Sequence, residues 1–212
     1  QYAIQQTKEA QIKYLINQAN IRTSEIKGTS VQEFLQTLRD IKADQKGYML
    51  DNIEVSAYAS PDGSMKVNTA LAQKREQSSK KYVGESLKKN NLETELDTRY
   101  TAEDWDGFQQ LLQASNVQDK DIILRVLSMY QDPEEREKQI RNISAGYDEL
   151  AKEILPELRR ARLTIHYNLI GRSDDEIQEQ LKTDASKLSV EEMLYAATLT
   201  EDTKEQKDIY FR

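Results

Sequence analysis

The sequence contains no cysteine, and this absence removes several classes of site at once. Disulfide bridges, thiolate nucleophiles, zinc–thiolate centres and iron–sulfur clusters all need the cysteine sulfur. The cellular compartment stays open, because a chain of 212 residues can bury a core without disulfides. Histidine is almost as scarce: His166 is the only one, and the sequence offers it no nucleophile or metal partner. We therefore interpret His166 as a structural or solvated residue.

Long apolar runs and charge of one sign are also missing. No run approaches the roughly 20 residues that a membrane-spanning helix needs, and the best apolar stretch, Ile122 to Tyr130, is interrupted by Arg125 and Ser128. The net charge is −7, and acidic and basic residues are mixed along the chain. No basic stripe therefore offers a surface to phosphates. The sequence predicts no transmembrane segment, no nucleic-acid partner and no anionic membrane surface as a partner.

The usual sequence signatures of catalysis do not occur either. The chain has no P-loop, no Gly-x-Gly-x-x-Gly, no His-Glu-x-x-His and no Gly-x-Ser-x-Gly. Carboxylates are abundant, but a glycosidase pair is a spatial feature that the sequence cannot single out. Glu103-Asp-Trp-Asp106 sets the only tryptophan among three acids, which a sugar-stacking site or, more simply, acids at a helix start would explain. We predict a protein that is not an enzyme, with no catalytic residues, no metal site and no cofactor.

What the chain does have is an alternation of strand and helix patterns. After a polar lead-in at 1–11, strands are predicted at about 12–21, 53–60, 92–100 and 162–169, the last with Leu163 and Ile165 on its apolar face. A long helix after the second strand is predicted to end at about Lys89. Ser30-Val-Gln-Glu33 and Thr101-Ala-Glu-Asp104 match capping boxes, and Asp132-Pro133 predicts a helix restart. Helical spacing dominates from about 101 to 155. Strands alternating with helices around a small mixed sheet predict an α/β or α+β sandwich.

The most informative stretch joins a strand, a turn and a helix. Apolar residues alternate with polar ones from Ile53 to Ser60, which predicts a half-buried strand. Ser60-Pro-Asp-Gly63 has turn chemistry, and Asn68-Thr-Ala-Leu-Ala-Gln-Lys-Arg75 opens a helix. A strand-to-helix junction of this kind gathers backbone N–H groups and short polar side chains. It can therefore hold a small charged ligand.

This stretch resembles the OmpA-like peptidoglycan-binding domain. In that family a strand ends in a Thr-Asp turn, and Asn-x-x-Leu-Ser-x-x-Arg opens the next helix. Here Ile53-Glu-Val-Ser-Ala-Tyr-Ala-Ser60 is similar to the strand, and Asn68-x-x-Leu71-x-x-x-Arg75 is similar to the helix start. Leu158-Arg-Arg-Ala-Arg-Leu-Thr-Ile165 looks like the family's closing strand. The resemblance covers about residues 12–100 and 158–170.

The resemblance implies a site for the diaminopimelate side chain of peptidoglycan, which carries both an ammonium and a carboxylate. Arg75 stands at the family's arginine, whose guanidinium fork matches a carboxylate in two-point geometry. The family's aspartate is replaced by Ser60, which has no charge, and Asp62 is the substitute if the turn points it inward. Asn68 and Asn17, the latter at the end of the first predicted strand, also match ligand contacts. The implied ligand-binding set is Asn17, Ser60, Asp62, Asn68 and Arg75.

The resemblance also implies a domain organisation. Residues 1–172 would form an OmpA-like α+β domain, a β-α-β-α-β sandwich with a helical insertion at about 101–157 before the last strand. Residues 173–212 would be a helical extension that resembles the start of a tetratricopeptide array, and Ser173-Asp-Asp-Glu176 and Ser189-Val-Glu-Glu192 match helix caps in it. Fusions of this kind are familiar from outer-membrane proteins of Bacteroides-like bacteria. A periplasmic, outer-membrane-associated location follows as an expectation.

Three functions stay open at this stage. The first is a non-catalytic peptidoglycan-binding or envelope-anchoring module, whose partner is the peptide stem. The second is a protein-interaction scaffold that keeps the OmpA-like fold, has lost wall binding and holds other envelope proteins through its helical regions. The third is an intracellular soluble domain. The plainer interpretations are that Arg75 is a surface helix residue or pairs with Glu76 or Asp62, and that the turn at 60–63 needs no ligand.

Overall fold

Four strands form one mixed sheet in the computed structural model of the chain, which describes residues 2–171, 177–179, 181 and 192–193. The strands are β1 (Ala3–Lys13), β2 (Tyr48–Tyr58), β3 (Glu95–Thr101) and β4 (Arg160–Ile170). Their order in the sheet is β1-β4-β2-β3. The last strand, β4, lies between β1 and β2 and is antiparallel to both, whereas β2 and β3 are parallel. The expected α+β class is confirmed at this level.

Three helices cover one face of the sheet: α1 (Thr23–Ile26), α2 (Thr29–Ala43) and α3 (Met65–Lys89). Alternate residues of the strands point toward α2 and α3 and are buried, because a strand turns successive side chains to opposite faces. The resulting core is mostly aliphatic, with one phenylalanine and one buried tyrosine, and its largest fully buried members include Ile12, Phe34, Leu38, Ile53, Leu163 and Ile165. The opposite face is polar. Its cross-strand pairs include Arg162 with Glu9 at 2.7 Å and Arg99 with Glu54 at 3.4 Å.

The residues between β3 and β4 build a second layer, which we call the helical layer. It consists of α4 (Trp105–Gln113), α5 (Lys120–Met129), α6 (Pro133–Arg141), α7 (Ser144–Glu149), a π-helical turn (Leu150–Ile154) and α8 (Leu155–Leu158). These elements surround an apolar cluster of their own, distinct from the sheet core, that includes Phe108, Leu112, Ile123, Leu150 and Leu158. The helical layer therefore has its own source of stability, and a few polar contacts join it to the sheet.

The N-terminal strand lies elsewhere than predicted. Residues 3–13 form β1, so the polar lead-in at 1–11 is wrong, and the strand predicted at 12–21 ends at Lys13. The reason is that β1 is an edge strand with one exposed face, so only Ala10 and Ile12 are fully buried in it. A strand that presents polar residues to water on one face and mixed residues on the other gives a weak apolar signal.

Two of the four predicted capping boxes, those at Ser30 and Thr101, are also wrong. Helix α2 begins after Gly28, and Ser30 Oγ instead accepts a hydrogen bond from the backbone N–H of Gln11 at 3.2 Å. Thr101 still belongs to β3, and the cap of α4 is Asp104, whose side chain accepts from the N–H of Gly107 at 2.9 Å. A box motif fixes neither the first residue of a helix nor which partner a serine takes in three dimensions.

Strand β2 begins at Tyr48, five residues before its predicted start at Ile53. Several other boundaries agree with the sequence. Asp132 caps α6 with Pro133 in its first turn, α3 ends before Asn90, and β4 buries Leu163 and Ile165 on the predicted face. The helices of the helical layer continue three residues past the predicted end at about 155, to Leu158. The extension at 173–212 and its two capping boxes lie outside the described residues, apart from 177–179, 181 and 192–193. Within the part of the chain that is described, no helix is long and apolar enough to cross a membrane.

Candidate ligand-binding site

The turn after β2 brings three of the five implied ligand contacts together. Gly63 has a φ of +100°, a left-handed conformation that favours glycine, and it reverses the chain toward α3. Helix α3 starts at Met65, three residues before Asn68, and Ser64 caps it by accepting from the N–H of Val67 at 3.3 Å. The Asn68 side chain consequently lies over the turn and donates to the Asp62 carbonyl at 3.2 Å. Ser60 Oγ donates to Asp62 Oδ1.

Asp62 points inward, as a substitute for the family aspartate would have to, but its carboxylate is already paired. Oδ1 accepts the Ser60 hydroxyl, and Oδ2 lies 3.6 Å from the guanidinium of Arg159, which directly precedes β4. Both side chains are mostly buried, at 19% exposed for Asp62 and 11% for Arg159. A ligand ammonium would compete with Arg159 for this carboxylate.

Arg75 is buried completely, with 0% of its surface exposed. Its guanidinium donates to three backbone carbonyls: Nε to Gln18 at 3.0 Å, one terminal nitrogen to Tyr58 at 2.9 Å, and the other to Leu15 at 3.2 Å. Its carbon atom lies 5.3 Å from the centre of the Tyr14 ring. The interpretation of Arg75 as a surface helix residue is therefore wrong. This arginine joins β2, α3 and the 14–22 loop, which connects β1 to α1.

Burial lowers the pKa of Arg75 to about 10, since a charged group is disfavoured away from water, and the nearby Tyr14 and Asp62 only partly offset this effect. The group is still a cation at neutral pH. Carbonyl oxygens, which carry partial negative charge, are the partners that a buried cation without a directly bonded carboxylate needs.

Asn17 lies in the same 14–22 loop, but its side chain is exposed and makes no hydrogen bond to any of the other four candidates. Its φ is +57°, a left-handed conformation that asparagine tolerates better than most residues. That turn of the backbone lies between Leu15 and Gln18, whose carbonyls reach Arg75. The contribution of Asn17 here is to the loop's conformation.

The helical layer covers the turn from the other side. Glu137 of α6 accepts the backbone N–H of Gly63 at 3.0 Å and is itself held by Arg141 at 2.9 Å. The remaining cleft has a volume of about 20 Å³, room for about one water molecule. It is lined mainly by apolar and aromatic side chains, among them Pro61, Trp105, Phe108 and Tyr147. Of the five implied ligand contacts, only Asp62 lines this cleft.

A buried contact that joins the layers was not anticipated from the sequence. Asp104, the cap of α4, forms an ion pair with Arg160 of β4 at 2.9 Å, and both residues are buried. The Arg160 guanidinium also lies 4.4 Å from the centre of the Tyr58 ring. Each partner of this ion pair stood out in the sequence, Asp104 in the predicted capping box at 101–104 and Arg160 in the arginine pair at 159–160. Only the fold brings them together.

Comparisons with known proteins do not add a family to this geometry. Neither the protein-family models nor the curated proteins include a match to the chain. No group of three or more potential metal ligands occurs among the residues that the structure describes.

Glu103 should make the stability of the fold depend on pH. Burial raises the pKa of Glu103, with Glu137 and Glu134 adding to the effect, whereas hydrogen bonds from Trp105 and Asn68 oppose it. The folded state therefore keeps the Glu103 proton at pH values where the unfolded chain has lost it. The contribution of Glu103 to the unfolding free energy consequently falls as pH rises from its unfolded-state pKa through its higher folded-state pKa. We expect Glu103→Gln to remove this decline, because glutamine retains a carbonyl oxygen for the Trp105 N–H.

The measurement is urea unfolding of wild type and Glu103→Gln from pH 4 to pH 7. The difference in unfolding free energy between the two proteins should move in favour of the variant as pH rises. A constant difference across this range would show that Glu103 titrates alike in both states. Exposed Glu33→Gln is the matched control and should follow the wild-type curve.

Proposed function

We propose that this chain is a non-catalytic interaction scaffold of the cell envelope. In it, the OmpA-like strand, turn and helix start at 53–75 hold the sheet and the helical layer together. The observation that carries the proposal is the environment of Arg75. Its guanidinium is fully buried and its N–H groups are directed at three carbonyls of its own chain. A carboxylate ligand could reach it only if the 14–22 loop moved away.

The other candidate contacts support the same proposal. Asp62 is paired with Arg159, and the N–H of Gly63 is taken by Glu137. The groups that would bind the two charges of diaminopimelate are thus satisfied within the chain. They hold the sheet, the turn and the helical layer together. A periplasmic, outer-membrane-associated location is part of the proposal and rests on the resemblance of the 53–75 stretch.

A surface for protein partners is available on α5. Ile122 and Met129 are 50% and 65% exposed, and their spacing of seven residues sets them on the same side of the helix. A contiguous exposed apolar patch is typical of a contact surface, and we assign the partner contact to this side of α5. Under this proposal the helical layer provides the contacts and the sheet domain holds it in position.

The decisive test is sedimentation with purified sacculi. We expect the wild-type chain to stay in the supernatant, and Ser60→Asp to stay there too, because restoring the family aspartate does not uncover Arg75. An OmpA-like domain with an intact aspartate–arginine pair serves as the positive control. If the wild type pellets and free diaminopimelate releases it, the chain is a wall-binding module and the scaffold proposal fails.

The scaffold has its own test in the native envelope. Crosslinking of the wild-type protein should yield a defined partner, and Ile122→Lys with Met129→Lys should abolish that crosslink. Leu15→Lys is the matched control, because this side chain is also exposed but lies on the 14–22 loop. Equal loss in the control, or an unchanged pattern in the α5 variant, would contradict a partner surface on α5.

A further inference from the structure

Strand β3 is an edge of the four-stranded sheet that the described residues form. The Thr101 carbonyl accepts the N–H of Ala59 at 3.1 Å, so the odd-numbered residues of β3 bond toward β2. Because successive backbone groups alternate in direction, the N–H and C=O groups of Leu96, Thr98 and Tyr100 point away from the sheet. Among the residues that the structure describes, nothing bonds to these outward groups.

The sequence of this edge is complementary to itself. If a second copy of β3 lies antiparallel with Thr98 opposite Thr98, Asp97 faces Arg99 of the second copy, and the reverse pair forms as well. Leu96 then faces Tyr100, which is 42% exposed in the single chain. The three opposed pairs made by Leu96, Thr98 and Tyr100 have their backbone groups directed at each other, so each pair can exchange two hydrogen bonds.

We propose that β3 pairs with β3 of a second copy in this register, so that two four-stranded sheets join into one. Edge strands are normally protected by proline, lysine or a bulge, and β3 has neither proline nor lysine and pairs with β2 in an unbroken register. Charge complementarity favours the second copy, since the register opposes unlike charges twice and like charges nowhere. Two-fold pairs of identical chains use such isologous contacts.

The charged pair still has unused hydrogen-bonding capacity. Asp97 accepts from Asn52 with Oδ2, and Arg99 uses Nε for Ser56 and one terminal nitrogen for Glu54. The second carboxylate oxygen and the second terminal nitrogen remain for the other copy. The opposite edge of the sheet, β1, is less suitable, because Ser30 and Glu25 already accept the outward N–H groups of Gln11 and Lys13.

Single cysteine variants test the register. The chain has no natural cysteine, so each introduced thiol can pair only with its own copy. Thr98→Cys meets its own copy on the two-fold axis at a distance that a disulfide can span, so mild oxidation should give a covalent dimer of the full chain. Glu95→Cys lies about 20 Å from its copy in this register, six residues along the strand, and should stay monomeric. A crosslink at 95, or none at 98, overturns the proposal.

Charge variants test the same contact without a new bond. Sedimentation velocity of the wild type should show a concentration-dependent dimer. Asp97→Arg should raise its dissociation constant about tenfold or more, and Asp97→Arg with Arg99→Asp should restore it. Asp121→Arg on exposed α5 makes the same change of charge elsewhere and should leave the dimer intact. A monomeric wild type, or a dimer insensitive to Asp97→Arg, overturns the proposal.

Discussion

Replacement of Arg75 by alanine should destabilise the folded chain by about 3 kcal/mol. Three backbone carbonyls lose their donor, and each such loss in a buried site is worth about 1 kcal/mol or more. The cavity left by the largest fully buried side chain adds to this loss, whereas removal of a buried charge offsets part of it. Urea unfolding followed by circular dichroism measures the effect.

Two variants separate the causes. Arg75→Lys keeps the charge but offers a single ammonium that cannot reach carbonyls on Tyr58, Leu15 and Gln18 together, so it should still lose about 2 kcal/mol. Arg75→Met keeps most of the volume and removes the charge. Arg125→Ala, an exposed arginine on α5, is the control and should change stability by less than about 0.5 kcal/mol. If Arg75→Ala changes stability as little as Arg125→Ala does, Arg75 does not hold the junction.

Arg75→Ala should also have a local effect, which would not be expected if Arg75 only bound a ligand. The 14–22 loop contributes two of the three carbonyls, and the αL turn at Asn17 is made within it. Without Arg75 this loop should open more often than the sheet does. Faster amide exchange or proteolysis at 15–18, in conditions where β2 stays protected, is the expected signature.

The sequence allowed the strands with one buried face to be predicted, because their alternation is set by the core itself. Ile53 and Val55 in β2, and Leu163 and Ile165 in β4, all lie where the pattern placed them. Most of strand β1 was not predicted, because Gln6 and Lys8 lie on its core-facing side and weaken the contrast between the two faces. Local patterns report burial, and an edge has little of it.

The candidate site was predictable in position but not in bonding. The spacing from Ser60 to Arg75 put the turn and the helix start side by side, and Ser60, Asp62 and Asn68 do meet there. No local signal indicates that Leu15 and Gln18 would supply carbonyls to Arg75, or that Arg159 would take Asp62. Those partners come from segments far away in the sequence, and backbone carbonyls carry no residue identity to recognise.

The second large effect is expected at Asp104, where one carboxylate performs two tasks. It caps α4 through the N–H of Gly107, and it neutralises Arg160 at 2.9 Å in a buried position. Loss of a cap costs about 1 kcal/mol, and a buried cation left without its partner costs about 3–5 kcal/mol. Asp104→Ala should therefore lower the unfolding free energy by about 4 kcal/mol. Trp105, the only tryptophan, is adjacent and reports the loss by fluorescence.

Asp132 is the matched control, because it caps α6 in the same way, through the N–H of Glu135 at 3.0 Å, but is exposed. Asp132→Ala should cost only about 1 kcal/mol, so the difference between the two alanine variants isolates the ion pair. Asp104→Asn with Arg160→Met keeps an oxygen for the cap and removes both charges, and most of the stability should return. If that double variant is as unstable as Asp104→Ala, the Asp104–Arg160 charge pair is not what joins the helical layer to the sheet. The joint would then depend on packing between the layers.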